Sequence, residues 1–202
     1  MIKNIALVIV TGLISTGCSL FNNDKAPKGG INLFTIQQDK DLGAKVAGEI
    51  NADPTTYPVL DPATNVAAYK YINDIRDAIL ATGKVKHAND FEWELKIIQD
   101  DSTLNAFCTP AGYIYIYTGI IKFLDNEAEL AGVMGHEMAH ADLRHSTRQM
   151  TKSYGLEMVV SAALGEMEAL KQITNGLIGL KFSRSHETEA DRMSVEYLCG
   201  SK

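Results

Sequence analysis

The chain has 202 residues, 46% of them hydrophobic and 22% charged, the balance of an ordinary globular protein long enough for one domain with a sizeable core. A formal net charge of −6 leaves no basic footprint and argues against a nucleic-acid partner. No internal repeat or low-complexity tract subdivides the sequence.

Residues 1–17 read as a secretory signal. Lys3 supplies a positive charge, residues 5–14 (IALVIVTGLI) form a short apolar run, and STGC comes next. That run is too short for a comfortable transmembrane helix. The residues before Cys18 resemble a lipobox, where bacterial lipoproteins are lipidated and cut, with Ser15 standing where that motif usually has leucine. Cys18 is therefore expected to carry lipid; an ordinary signal peptide with an incidental cysteine is the alternative. Each buried CH₂ of an acyl chain contributes ~0.8 kcal/mol, so several chains anchor a protein firmly. Ser19 resembles the outer-membrane sorting pattern, which implies an outer-membrane lipoprotein facing the periplasm. Residues 18–30 are then the lipidated cysteine and a flexible tether, SLFNNDKAPKGG, reaching at most ~40 Å. Residues 31–202 remain for the folded domain.

Residues 35–50 predict a helix with Ile36, Leu42, Val46 and Ile50 as its apolar points, broken by the three prolines of NADPTTYPVLDP. A second helix follows Asp61 through Val66, Tyr69, Ile72, Ile75 and Ile79 to a stop at Gly83. FEWELKI alternates cleanly, with Phe91, Trp93, Leu95 and Ile97 on one face, as a half-buried strand does. After a turn at TPAG, YIYIYTG alternates again, which predicts a hairpin-like small sheet in which Tyr113, Tyr115 and Tyr117 serve packing. Asn126 and Glu129 have the spacing of a capping box for the next helix. Residues 155–180 are apolar and helical in pattern, but carry too many glycines, lysines and glutamates for a membrane span. The last helix is placed from Ser185. Cys108 and Cys199 are open to either reading, a disulfide or two buried thiols.

Between residues 132 and 145, GVMGHEMAHADLRH sets two histidines and a glutamate in an apolar run. On a helix Val133, Met134 and Met138 share one face, and His136, Glu137 and His140 fall within or at the border of that stripe. Buried polar groups are costly unless something satisfies them, and a metal ion is the leading candidate. His136 and His140 point the same way from adjacent turns, and neutral imidazoles bind zinc at ~2.0–2.1 Å. Glu137 lies about 100° round the helix, where its carboxylate can take a proton from water activated by the ion. A catalytic zinc site wants a third protein ligand and an open position. The candidates lie in SRSHETEADRMSVEYL, where Glu187 and Asp191 share a helix face with Ala190, Ser194 and Leu198. A solvated acidic turn at a helix start is the plain alternative.

HEMAH followed by ETEAD resembles the HtpX-like and prenyl-protein-peptidase family of zinc metallopeptidases, particularly its small periplasmic lipoprotein members. NAFCTPAGYIYIYTGII resembles that family's stretch before the metal helix, and LRHS and FSRSHETEAD also fit, from about residue 35 to the end. The resemblance implies an α+β fold: a mainly helical, zincin-like (gluzincin) domain with a small β-sheet beside the active-site helix. It implies one zinc per chain on His136, His140 and Glu187, with Asp191 hydrogen-bonding a ligand histidine. Glu189 is the rival ligand, but about 200° from Glu187 it should face away. His145 matches a family position that is not a ligand, and His87 and His186 are left as surface or core residues. Asn105, Ala106, Phe107, Gly112 and Tyr113 correspond to an edge strand to which an extended peptide can add. Family members usually continue past the EAD helix, so this chain reads as a truncated or unusually short member. The function implied is a lipid-anchored zinc endopeptidase acting on unfolded or misassembled envelope proteins, with Glu137 as general base. A non-catalytic, chaperone-like metal-binding lipoprotein is the alternative; a structural zinc fits poorly with an open coordination position.

Overall fold

The computed structural model describes residues 32, 34–153, 157, 160, 161, 164, 166–178 and 180–199. The proposed signal, Cys18 and the tether lie outside the described residues. Helix α1 (Ile36–Ala52) opens with a capping box in which Thr35 and Gln38 satisfy each other's backbone N–H, and it buries Leu42, Val46 and Ile50. Helix α2 (Val66–Ala81) buries Tyr69, Ile72, Ile75 and Ile79, four of its five predicted apolar points, while Val66 in its first turn is exposed. Burying each such isoleucine contributes roughly 1.5–3 kcal/mol.

Three short strands come next: β1 (Leu95–Ile98), β2 (Ala106–Cys108) and β3 (Ile114–Tyr117), in the order β1-β3-β2. β2 and β3 form the expected antiparallel hairpin, whereas β1 runs parallel to β3. The predicted strand over 91–97 contracts to Leu95–Ile98, because Trp93 sits at φ 47° and Glu92 turns aside to donate its N–H to the Ala111 carbonyl. Phe91, Trp93, Leu95 and Ile97 are nonetheless all buried together, so the alternation reports burial beyond the ladder itself. Both sheet faces are covered. Ile114 and Ile116 join α2 and the later helices in one apolar cluster, while Tyr115 and Tyr117 join α1 in another. The turn between β2 and β3 needs Gly112: φ is +85°, and a Cβ there would lie 3.0 Å from the Trp93 backbone nitrogen.

Helices α3 (Thr118–Phe123), α4 (Glu127–Asp142), α5 (His145–Ser153), α6 (Met167–Ile178) and α7 (Arg184–Leu198) complete the described elements. The sequence pattern does not mark α5 as a helix of its own. The break before it arises at Arg144, which takes φ 58° and swings the chain back after α4. Its guanidinium is held by buried Asp39 and the Phe34 carbonyl, tying the end of α4 to α1. Helix α6 buries Leu170, Ile173 and Leu177 against α1, as a core helix does. No helix among the described residues is long and apolar enough to cross a membrane.

The α4–α7 pair positions the site. A Cβ on Gly135 would lie 2.8 Å from Ser194 Oγ, and that hydroxyl donates to the Gly132 carbonyl at 3.0 Å, so the two helices meet where α4 is smallest. At the far end Asp142 accepts from the Lys86 and His87 backbone N–H groups and from Tyr197 Oη at 2.6 Å. Burial and the Asp142 carboxylate hold the Tyr197 hydroxyl far above its ordinary pKa, so it stays a donor. Lys84 then caps α7 by donating to the Glu196 and Cys199 carbonyls.

Candidate metal centre

Helix α4 is capped by Asn126, whose side chain accepts the Glu129 N–H at 3.1 Å; the reciprocal bond goes to the Asp125 N–H rather than to that of Asn126. Helix α7 is capped by Ser183, two residues before the expected Ser185. Packed together, these helices bring His136, His140 and Glu187 to one place, their ligating atoms all within 4.8 Å of one another. His136 Nε2 lies 2.9 Å from His140 Nε2 and 3.4 Å from Glu187 Oε2, and His140 Nε2 lies 3.9 Å from that same oxygen. On the opposite edge of its ring, His136 Nδ1 meets Asp191 Oδ1 at 2.9 Å. A carboxylate accepts only, so Nδ1 carries the proton and Nε2 is left to face the cluster when the ring is neutral.

The two histidines differ electrically. Burial opposes the charged form of His136, but Glu187, Glu137 and Asp191 outweigh it and raise the group to about 9. His140 is only 2% exposed, and burial together with the rings of His136, His145 and His186 pushes its pKa down, so it is neutral. Phe182 stacks on it at 4.0 Å. Burial, abetted by Glu187, raises Glu137 to about 7, against the opposing pull of His136 and of hydrogen bonds from Cys108. Two imidazoles and a carboxylate could hold a metal ion, and they match the N/O donor type that catalytic zinc sites use. A cation also suits the electrostatics, since it can replace the proton that the carboxylates otherwise hold on His136.

Glu189 is 6% exposed and turns to His145 and Arg148, as its angular offset predicted, so its carboxylate stands outside the donor cluster. His145 and His186 are buried and stacked on each other at 4.3 Å, while His87 pairs with Asp90 at 2.8 Å away from the centre. Ala106 and Phe107 lie in edge strand β2, with Asn105 just before it. Gly112 and Tyr113 do not belong to that edge: the positive φ of Gly112 places them in the turn leading to central β3. Thr109 N–H donates to the Tyr113 carbonyl and Tyr117 N–H to that of Asn105, so the backbone groups of Ala106 and Cys108 point outward from β3. Cys108 is a free buried thiol, unbridged to Cys199, and it lies against Glu137. Sequence reasoning missed that contact and the stacking of Phe182 on His140. In strand β2 Cys108 and Phe107 face opposite sides of the sheet, and nothing local says which helix covers the Cys108 side.

The family model "Peptidase family M48" matches residues 68–201. The chain is 34% identical over 129 residues to mitochondrial metalloendopeptidase OMA1 of Schizosaccharomyces pombe, covering 62% of this chain and 37% of that protein. It is 27% identical to metalloprotease YcaL of Escherichia coli, covering 97% of this chain and 79% of that protein. With the beta-barrel assembly-enhancing protease of Escherichia coli it shares 28% identity over 145 residues, covering 64% of this chain and 28% of that one. The chain thus spans about a third of the OMA1 relative, but most of YcaL. With more than half of its residues matched by the family model, on both helices of the donor cluster, the chain belongs to peptidase family M48.

Proposed function

We propose that this protein is a zinc-dependent endopeptidase of the bacterial cell envelope that cleaves unfolded or misassembled envelope proteins. The observation that carries the reading is the convergence of His136, His140 and Glu187 on one point, with Glu137 on the next residue of the same helix. When bound, zinc would polarise both the attacking water and the scissile carbonyl. Glu137 would take a proton from the attacking water and return it to the leaving amine. A general base works best with a pKa near the operating pH, and burial brings this carboxyl to about 7. Asp191 holds the His136 ring so that Nε2 faces the cluster. An extended peptide pairs its backbone with the outward N–H and C=O of Ala106 on β2, which reads little side-chain information and suits varied, unfolded substrates.

The envelope location draws on the likeness to a beta-barrel assembly-enhancing protease and on the signal-like residues 1–17. Lipidation of Cys18 anchors the domain, with the tether holding it off the outer membrane on the periplasmic side. Two measurements on one preparation test the reading: zinc content by atomic emission, and cleavage of an unfolded protein. About one zinc per chain and cleavage abolished by chelation are expected. Zinc retained without any cleavage would instead support a chaperone-like metal-binding protein. Mass spectrometry of membrane-extracted protein should find lipid mass on Cys18, and an unmodified cysteine refutes the anchor.

A further inference from the structure

His140 is the buried member of the donor cluster, and among the described residues no carboxylate touches the far edge of its ring. Its Nδ1 instead lies 2.9 Å from Nδ1 of His145, a residue with no exposed surface. His145 Nε2 in turn lies 3.2 Å from Glu189 Oε2, with Arg148 Nη1 at 3.8 Å from the same oxygen. Two facing ring nitrogens make a hydrogen bond only if one carries a proton and the other does not. Glu189 decides which. Its carboxylate accepts, so the proton of neutral His145 sits on Nε2, leaving His145 Nδ1 as an acceptor. His140 must then donate from Nδ1, and its Nε2 lone pair faces His136 and Glu187. Both rings are buried, which disfavours a charge on either. Phe182 against His140 and His186 against His145 fix the ring planes, stacked within 18° and 12° of parallel.

We propose that His145 and Glu189 are positioning residues: a buried relay that sets the tautomer and orientation of His140 for the cation. The consequence is a division of labour on α7. Asp191 orients one ligand histidine directly, Glu187 supplies the third donor, and Glu189 orients the other histidine through His145. This also gives a reason for the second glutamate of ETEAD, which points away from the cluster yet is buried.

The assignment rests on the metal reading, and its test separates the two. Long-range ¹H–¹⁵N correlation spectra of the metal-free protein report the tautomer of each neutral histidine. His140 is expected as the Nδ1–H form and His145 as the Nε2–H form. Glu189→Gln keeps the size of the side chain but offers both a donor and an acceptor, so both histidines should lose the single tautomer. His145→Phe keeps an aromatic ring but removes the acceptor. Zinc affinity, measured by competition with a chromophoric chelator, should fall roughly 10–100-fold in either variant. The visible spectrum of the cobalt-substituted site should change with it, a response that loss of fold stability alone does not produce. His140 as the Nε2–H form in the wild type, or wild-type affinity and spectrum in a folded Glu189→Gln protein, overturns the relay. Failure of the wild type to bind zinc or cobalt at all overturns the metal reading and the relay's purpose with it.

Discussion

The two faces of the three-stranded sheet are covered by different kinds of core. On the face toward α2, α4 and α7, the apolar cluster of Ile72, Ile79, Ile114, Ile116, Met134 and Met138 borders a buried polar layer. His140, Asp142, His145 and Glu189 lie there, each with a named partner. On the face toward α1 and α6, Leu42, Val46, Ile50, Phe107, Tyr115, Leu170 and Ile173 pack on one another, with Phe107 and Tyr115 stacked at 4.9 Å. The polar layer costs desolvation and must be fully paired to be tolerated, so it fixes geometry more than it adds stability. The apolar face has the opposite balance: it contributes stability without specifying a site.

Substitutions on the two faces should therefore separate function from stability. The largest effect is expected for Glu137→Gln, which preserves size and zinc occupancy while removing the base. Cleavage of an unfolded protein should drop ~10²–10⁴-fold at equal zinc loading. Wild-type cleavage by that variant would remove Glu137 from the mechanism. On the other face, Ile173→Ala leaves a cavity beside α1 and should cost about 2–5 kcal/mol in chemical denaturation. Its zinc affinity should match wild type; a parallel loss of affinity would show that the two faces are not independent.

Asp191→Ala lies between these extremes, since it releases one edge of His136 without removing a ligand. A loss of roughly 10–100-fold in zinc affinity is expected, with activity partly recovered in excess zinc. Excess zinc should not rescue Glu137→Gln. The smallest effect is a pH shift. Glu137 acts as an anion, so kcat/KM falls as pH drops through its pKa. Hydrogen bonds from Cys108 hold that pKa down against burial. Cys108→Ala removes the thiol donor, so the acidic limb of the pH profile should move to higher pH while the basic limb stays. A limb that moves to lower pH breaks the assignment.

Much of this was legible locally. The periodicities of α1 and α2, the stop at Gly83 and the spacing of HEMAH each follow from one helix turn or one backbone conformation. The β2–β3 hairpin was legible as well, from alternation around a turn. The features that escaped depend on neighbours remote in the chain. Trp93 leaves the strand because the Gly112 turn packs against it, and Cys108 meets Glu137 because β2 lies under α4. His145 and Glu189 are 44 positions apart, and neither spacing nor period connects them.

Residue spacing alone makes His136, Glu137 and His140 project from one short arc of a helix, and gives Glu187 and Asp191 a shared face of another. Those relations are set by 3.6 residues per turn and need no partner. That the two arcs face each other is a property of the packed fold, through the Gly135–Ser194 approach and the Asp142–Tyr197 bond. Packing also sets which edge of each ring meets an acceptor, and so which nitrogen is free for a metal. Helical geometry is local and repeats identically in every helix. The pairing of buried polar groups is not local, because a buried donor takes whatever acceptor the packed fold brings within reach.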